Sequence, residues 1–179
     1  VTARARALSS LSAKMNTCAN DITDTEATKK TVKKDGKDVY QFVKPSNAED
    51  VSKLKECVAE GNRLIDQAVA IEPDEVKNAA SINVTSLTDT QLALNGEIFK
   101  VFESTRSYKA SLLVQAMRQA EMDGNNALRD SLKAEADAAK TKFQELSDIV
   151  KKMQAEVETR AAAKEAAEKN NANSNSNKK

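Results

Sequence analysis

The chain has 179 residues, 40% of them apolar but only 3% aromatic, with no Trp and no His. Lys and Arg number 28 against 27 Asp and Glu, so a net charge of +1 makes no electrostatic case for a nucleic-acid partner. The missing His removes the commonest general base and metal ligand, four glycines build no phosphate-cradling loop, and no apolar run is long enough to span a bilayer.

An apolar seam with alternating three- and four-residue steps is the signature of helices packed lengthwise. It begins at Ala7 and Leu8 and runs through Leu11, Met15, Cys18 and Ile22, predicting a first helix from about residue 2 to about 27. Val32 to Tyr40 predicts a short hairpin: Asp35-Gly36 supplies the two positive-φ positions of a tight turn, and Val32, Val39 and Tyr40 favour strand. Such a hairpin is marginal alone and has to lie on the bundle. Pro45 bars helix before it, and Ser46 or Asn47 is placed to cap a second helix from about 48 to 71. The seam of that helix is Val51, Leu54, Val58, Gly61, Ile65 and Ala68.

Glu72-Pro73-Asp74 breaks the pattern, and 74–84 reads as a connection with room for a helical turn. A third helix is expected from about 86 to 122, on Leu87, Leu94, Ile98, Val101, Thr105, Tyr108 and Leu112, widened by Phe102, Leu113 and Ala116. Gly96 lies inside it at a cost of about 1 kcal/mol. Asp123 to Asn126 is the strongest turn signal in the chain. The fourth helix, about 126 to 168, carries Leu132, Ala136, Ala139, Phe143, Leu146, Val150, Met153 and Val157. Its last part, Arg160 to Lys169, has high helix propensity and little to bury, like a stalk. Asn170 to Lys179 has nothing to bury and is expected to be disordered.

The expectation is therefore an all-α fold: an elongated antiparallel helical bundle dominated by a long helical hairpin (about 86–122 and 126–168), with two shorter helices (about 2–27 and 48–71). Residues 1–169 form one domain, 28–47 an inserted loop or hairpin, and 170–179 a linker. At about 1.5 Å per residue the long pair measures roughly 55 and 65 Å and the short pair roughly 35 Å each. Up-down-up-down order places 28–47 and the Gly124 turn toward one end, and 72–85 with both termini toward the other.

Cys18 lies nine residues before the expected end of the first helix and Cys57 nine after the start of the second. In an antiparallel pair they reach the same level. Two readings follow, a disulfide or two buried thiols, and the matched levels favour the disulfide, which would stabilise by about 4 kcal/mol in the chain-entropy model. No metal site is expected, because two Cys without His lack the ligands zinc needs. Asn83-Val84-Thr85 is an N-glycosylation acceptor in the connection before the third helix. Carboxylate pairs such as Glu156/Glu158 and Asp21/Asp24 read as solvated helix charges. No catalytic residue and no cofactor site are expected, and the chain does not read as an enzyme.

The helical hairpin 86–168, the Cys18/Cys57 pair, the Ala-Glu-Lys run at 161–169 and the Asn/Ser/Lys tail together resemble the glutamic acid/alanine-rich surface coat proteins of African trypanosomes. Variant surface glycoproteins are more distant in shape. The resemblance implies a coat protein standing on the outer face of the plasma membrane among neighbouring coat molecules. Its membrane attachment would be a C-terminal glycosylphosphatidylinositol anchor, whose hydrophobic attachment signal is absent from this chain. The alternatives are a surface receptor or adhesin that binds a host macromolecule, and an intracellular coiled-coil scaffold with reduced cysteines.

Overall fold

The computed structural model describes the backbone of residues 1–176 and the side chains of residues 1–169. The backbone of residues 170–176, expected to be disordered, continues as helix, so the last helix ends at Ser176 rather than near 168; residues 177–179 lie outside the described residues. In chain order the elements are α1 (Thr2–Thr23), β1 (Lys29–Lys34), β2 (Lys37–Phe42), α2 (Ala48–Ala70), the short α3 (Asp74–Lys77), two single 3-10 turns (Ala79–Ser81 and Val84–Ser86), α4 (Asp89–Met122) and α5 (Asn126–Ser176). The fold is an all-α, elongated antiparallel bundle, and α4 with α5 forms its long hairpin.

Local chemistry sets the boundaries. The Thr28 hydroxyl donates to the carbonyl of Ile22 and meets the Thr25 hydroxyl, both at 2.8 Å. That turn satisfies a carbonyl of the last helical turn and sends the chain into β1, so α1 ends at Thr23 rather than near 27. Of the two cap candidates for α2, Asn47 serves: its Oδ1 accepts from the Glu49 N–H at 2.9 Å, with Glu49 and Asp50 in the first turn. The third long helix starts at Asp89, behind Thr88 and Gln91, which form a reciprocal capping box. Asp35 and Gly36 take φ of 51° and 76°, and the strands pair antiparallel with Val32 opposite Val39. Gly124, at φ 73°, turns α4 into α5.

Three apolar clusters stack along the rod. The upper one gathers Ala19, Ile22, Phe42, Leu54, Cys57, Val58 and Met122. Ile65, Ala68 and Leu112 form the middle. The lower and largest joins Phe99, Phe102 and Leu92 of α4 to Leu146, Ile149, Val150 and Met153 of α5, with Val76, Ala79 and Val84 of the connection folded over it. Accordingly α1, α2 and α4 pack around one another, while α5 lies on α4 and on the 79–86 turns.

Parts of the expected seams are displaced. In α1 the buried line is Ala5, Ser9, Ser12, Ala19 and Thr23 beside Ile22, while Ala7 and Leu11 are exposed. Small side chains let α1 approach closely, and the hydroxyls are satisfied internally: Ser9 bonds Thr105 across to α4, and Ser12 donates to the Leu8 carbonyl, each at 2.8 Å. Leu94 and Val157 are also exposed. Val157 borders a hollow where α4 presents Ala93 and Gly96, too small to cover it.

Opposite α2's close partner sits Gly61. A Cβ there would lie 2.5 Å from Leu112 Cδ2 and 3.0 Å from Met15 Cβ. Gly96, by contrast, faces open space.

Candidate functional site

The two ends of the rod carry its least regular chemistry. At the upper end Cys18 and Cys57 are joined, with 6.1 Å between their Cα atoms, so α1 and α2 are fastened covalently beneath the hairpin. Phe42 roots β2 in the upper cluster, and its N–H donates to Glu121 Oε1 at 3.2 Å. The Arg118 guanidinium stacks 4.6 Å from the Phe42 ring centroid and donates from Nη1 to Asn20 Oδ1 and Thr23 Oγ1 at 3.2 and 3.0 Å. Thr23 in turn donates to Gln115 Oε1 at 2.9 Å. Arg118 takes part in no ion pair among the described residues. Burial lowers its pKa, and the charge of Asp24 acts in the opposite direction.

Above Phe42 the ribbon stands free. Tyr40 is 62% exposed, and Lys29 reaches across it, 4.2 Å from the ring centroid, to a 2.7 Å bond with Asp24. That hydrogen bond holds the Asp24 carboxyl below its ordinary value. Lys44 bonds Asp123 at 3.1 Å, tying the exit of β2 to the α4–α5 turn. The insertion and the Gly124 turn therefore share one end of the rod.

At the other end Asn83 is exposed, with extended backbone, between the two 3-10 turns. The Thr85 hydroxyl donates to Asn83 Oδ1 at 2.9 Å, so the two polar members of the acceptor triplet face each other in the open. Just behind them Arg160 of α5 donates to the carbonyls of Leu87 and Thr85 at 2.8 and 3.0 Å and to Asp89 at 2.9 Å. Lys164 adds a 2.6 Å bond to the same Asp89, whose pKa is lowered by Lys164 first and Arg160 second. Beyond this clamp α5 continues for roughly 18 Å.

Between the ends, α2 and α5 stand apart over α4 and leave a groove. One hollow in it, of about 480 Å³, is lined by Val69, Leu113, Ala138 and Ala139, together with Lys109 and Lys142. Arg106 closes it below with a bidentate grip on Glu72. No group of three or more Cys, Asp or Glu is arranged to hold a metal ion among the described residues. No helix among them is long and apolar enough to cross a membrane.

The pairing of Cys18 with Cys57 and the exposed setting of Asn83 stand where the sequence placed them. The three structural arginines, Arg106, Arg118 and Arg160, escaped sequence reading. Their signal is a cation beside a seam position, as Arg106 follows Thr105, and it differs little from that of a solvated arginine. Compared with protein-family models, with curated proteins and with solved structures, the chain has no match.

Proposed function

We propose that this chain is the body of a cell-surface coat protein: a helical rod, tethered beyond α5 to the outer face of a membrane, forming a protective layer with its neighbours. The observation that carries this reading is the one-ended overshoot of α5, which leads the chain out of the bundle opposite the hairpin. The rod would stand with the hairpin and the Gly124 turn outward. The Cys18–Cys57 bond supports an oxidising, extracellular compartment and weighs against the intracellular scaffold. The resemblance to glutamic acid/alanine-rich trypanosome coat proteins supplies the parasite surface and the glycosylphosphatidylinositol anchor. Asn83, near the inner end, would carry a glycan filling space between rods.

Mass analysis of the native protein tests this directly: a C-terminal lipid anchor and a glycan on Asn83 are expected. Proteases or antibodies applied to intact cells should reach 28–47 and 123–126 before 72–85. Preferred cleavage near Pro73 on living cells would invert the orientation and remove the coat reading.

A further inference from the structure

The net charge of +1 conceals a segregation. Residues 29–44 hold six Lys against two Asp, a surplus of four, which leaves the remainder of the chain at −3. The antiparallel register sorts these charges by face, because directly opposed residues share a side of the sheet. Lys29/Phe42, Thr31/Tyr40 and Lys33/Asp38 share the side rooted in the bundle; Lys30/Gln41, Val32/Val39 and Lys34/Lys37 share the other. The second face thus carries three lysines, two valines and one glutamine, and no carboxylate.

Pairing within the molecule leaves those lysines available. Lys29 is held by Asp24 and Lys44 by Asp123, whereas Lys30, Lys34 and Lys37 form no ion pair among the described residues. Lys30 donates only to the Glu26 carbonyl, at 2.6 Å. Lys34 and Lys37 stand directly opposite each other, an arrangement that costs stability in the free protein. An anion laid between them would relieve that repulsion. Lys30 lies about 13 Å further along the same strand, so the three charges describe a track rather than a point.

We propose that this face of the hairpin binds linear anionic glycans, the sulfated polysaccharide class. Ammonium groups on flexible stems suit the diffuse, repeating charge of such a chain, whereas forked guanidinium groups favour a fixed bidentate anion. Val32 and Val39, between the lysines, give sugar C–H surfaces an apolar strip to lie on. Single-stranded nucleic acid is the poorer fit, because it would need aromatic platforms for its bases. The exposed aromatic of the ribbon, Tyr40, is on the opposite face beneath Lys29. The glycan assignment rests in part on the extracellular reading proposed above, which the disulfide supports and in which the available polyanions are mainly glycans.

The test uses the full chain with heparin decasaccharide as probe, titrated at several salt concentrations, with oligothymidylate and polyglutamate of equal charge in parallel. Heparin is expected to bind best, with affinity falling steeply as salt rises. The triple variant Lys30→Glu/Lys34→Glu/Lys37→Glu should weaken it at least about tenfold, since most of such an affinity is counterion release. The same reversals on α5, Lys133→Glu/Lys140→Glu/Lys152→Glu, should leave heparin affinity within about twofold. Circular dichroism and melting of both triple variants establish that they fold. If the hairpin variant melts early, Lys34→Gln/Lys37→Gln replaces it, with a smaller loss in the same direction expected. Absence of heparin binding at low salt, equal loss in both triple variants, or preference for oligothymidylate or polyglutamate would overturn the proposal.

Discussion

Arg106 and Glu72 meet through two parallel hydrogen bonds, Nε to Oε1 at 2.8 Å and Nη2 to Oε2 at 3.1 Å. The same guanidinium donates to the Lys142 carbonyl of α5 and the Val76 carbonyl of α3 at 3.0 and 3.3 Å. One side chain on α4 thereby fixes the end of α2, the connection and the level at which α5 lies. With side chains only 14% and 9% exposed, this pair is shielded from water as the surface pairs are not. Arg106→Leu would strand the Glu72 carboxylate, and a loss of about 3–5 kcal/mol is expected in denaturant unfolding. Arg106→Lys keeps the charge but loses the fork, so it should recover only part of that stability.

The glycines offer a paired test of packing against propensity. Gly96→Ala has room for its methyl group and should raise stability by about 0.5–1 kcal/mol. Gly61→Ala makes the same helix-favouring change but drives a methyl into Leu112 and Met15, so it should destabilise by about 1–3 kcal/mol. Thermal melts of the two variants should move in opposite directions.

Leu146 is fully buried against α4, whereas the Lys151 side chain, on the same helix, is 69% exposed. Truncating a buried leucine costs about 2–5 kcal/mol and a buried charge adds to it. Leu146→Asp should therefore lower the melting temperature sharply and Lys151→Asp should scarcely change it. Equal tolerance would mean that α5 is not seated on α4 through this face.

Acid should loosen the lower clamp. Asp89 has its pKa depressed below 3.8 in the folded state. Its contribution is therefore present above the unfolded value and is lost as pH falls through the lower, folded one. Protection against hydrogen exchange at residues 84–90, relative to the unfolded chain at the same pH, should fall below about pH 4, and Asp89→Asn should show reduced protection already at neutral pH. Unchanged exchange in that variant would assign the seating of α5 to Arg160's carbonyl contacts alone.

The architecture was legible because its causes are local: seam period, Asp-Gly and Gly-Asn turns, and a cap at Asn47 within one of the expected boundaries. The disulfide was legible from levels along an antiparallel pair, since helical rise is fixed. What the periodicity misread was α1. Leu8, Met15 and Cys18 of its expected seam do pack on the clusters, but Ala7 and Leu11 stay exposed, and the line buried beside the seam is made of the small residues Ala5, Ser9 and Ser12. What is buried there depends on the partners, as Gly61 beneath Met15 shows. The hairpin's sidedness was equally hidden, because total charge averages over faces that only the strand register separates.

The run of α5 beyond Lys164 behaves as a screw thread as well as a spacer. Every residue of that helix adds about 1.5 Å of height and about 100° of azimuth to the body above it. Inserting four residues between Glu165 and Lys169 would lift the head by about 6 Å and swing the basic ribbon by about 40°. Inserting seven would lift it by about 10 Å with the ribbon turned back by only about 20°. Reach and facing direction in this molecule are geared together, so in the proposed coat a change in stalk length would alter which neighbour the ribbon addresses.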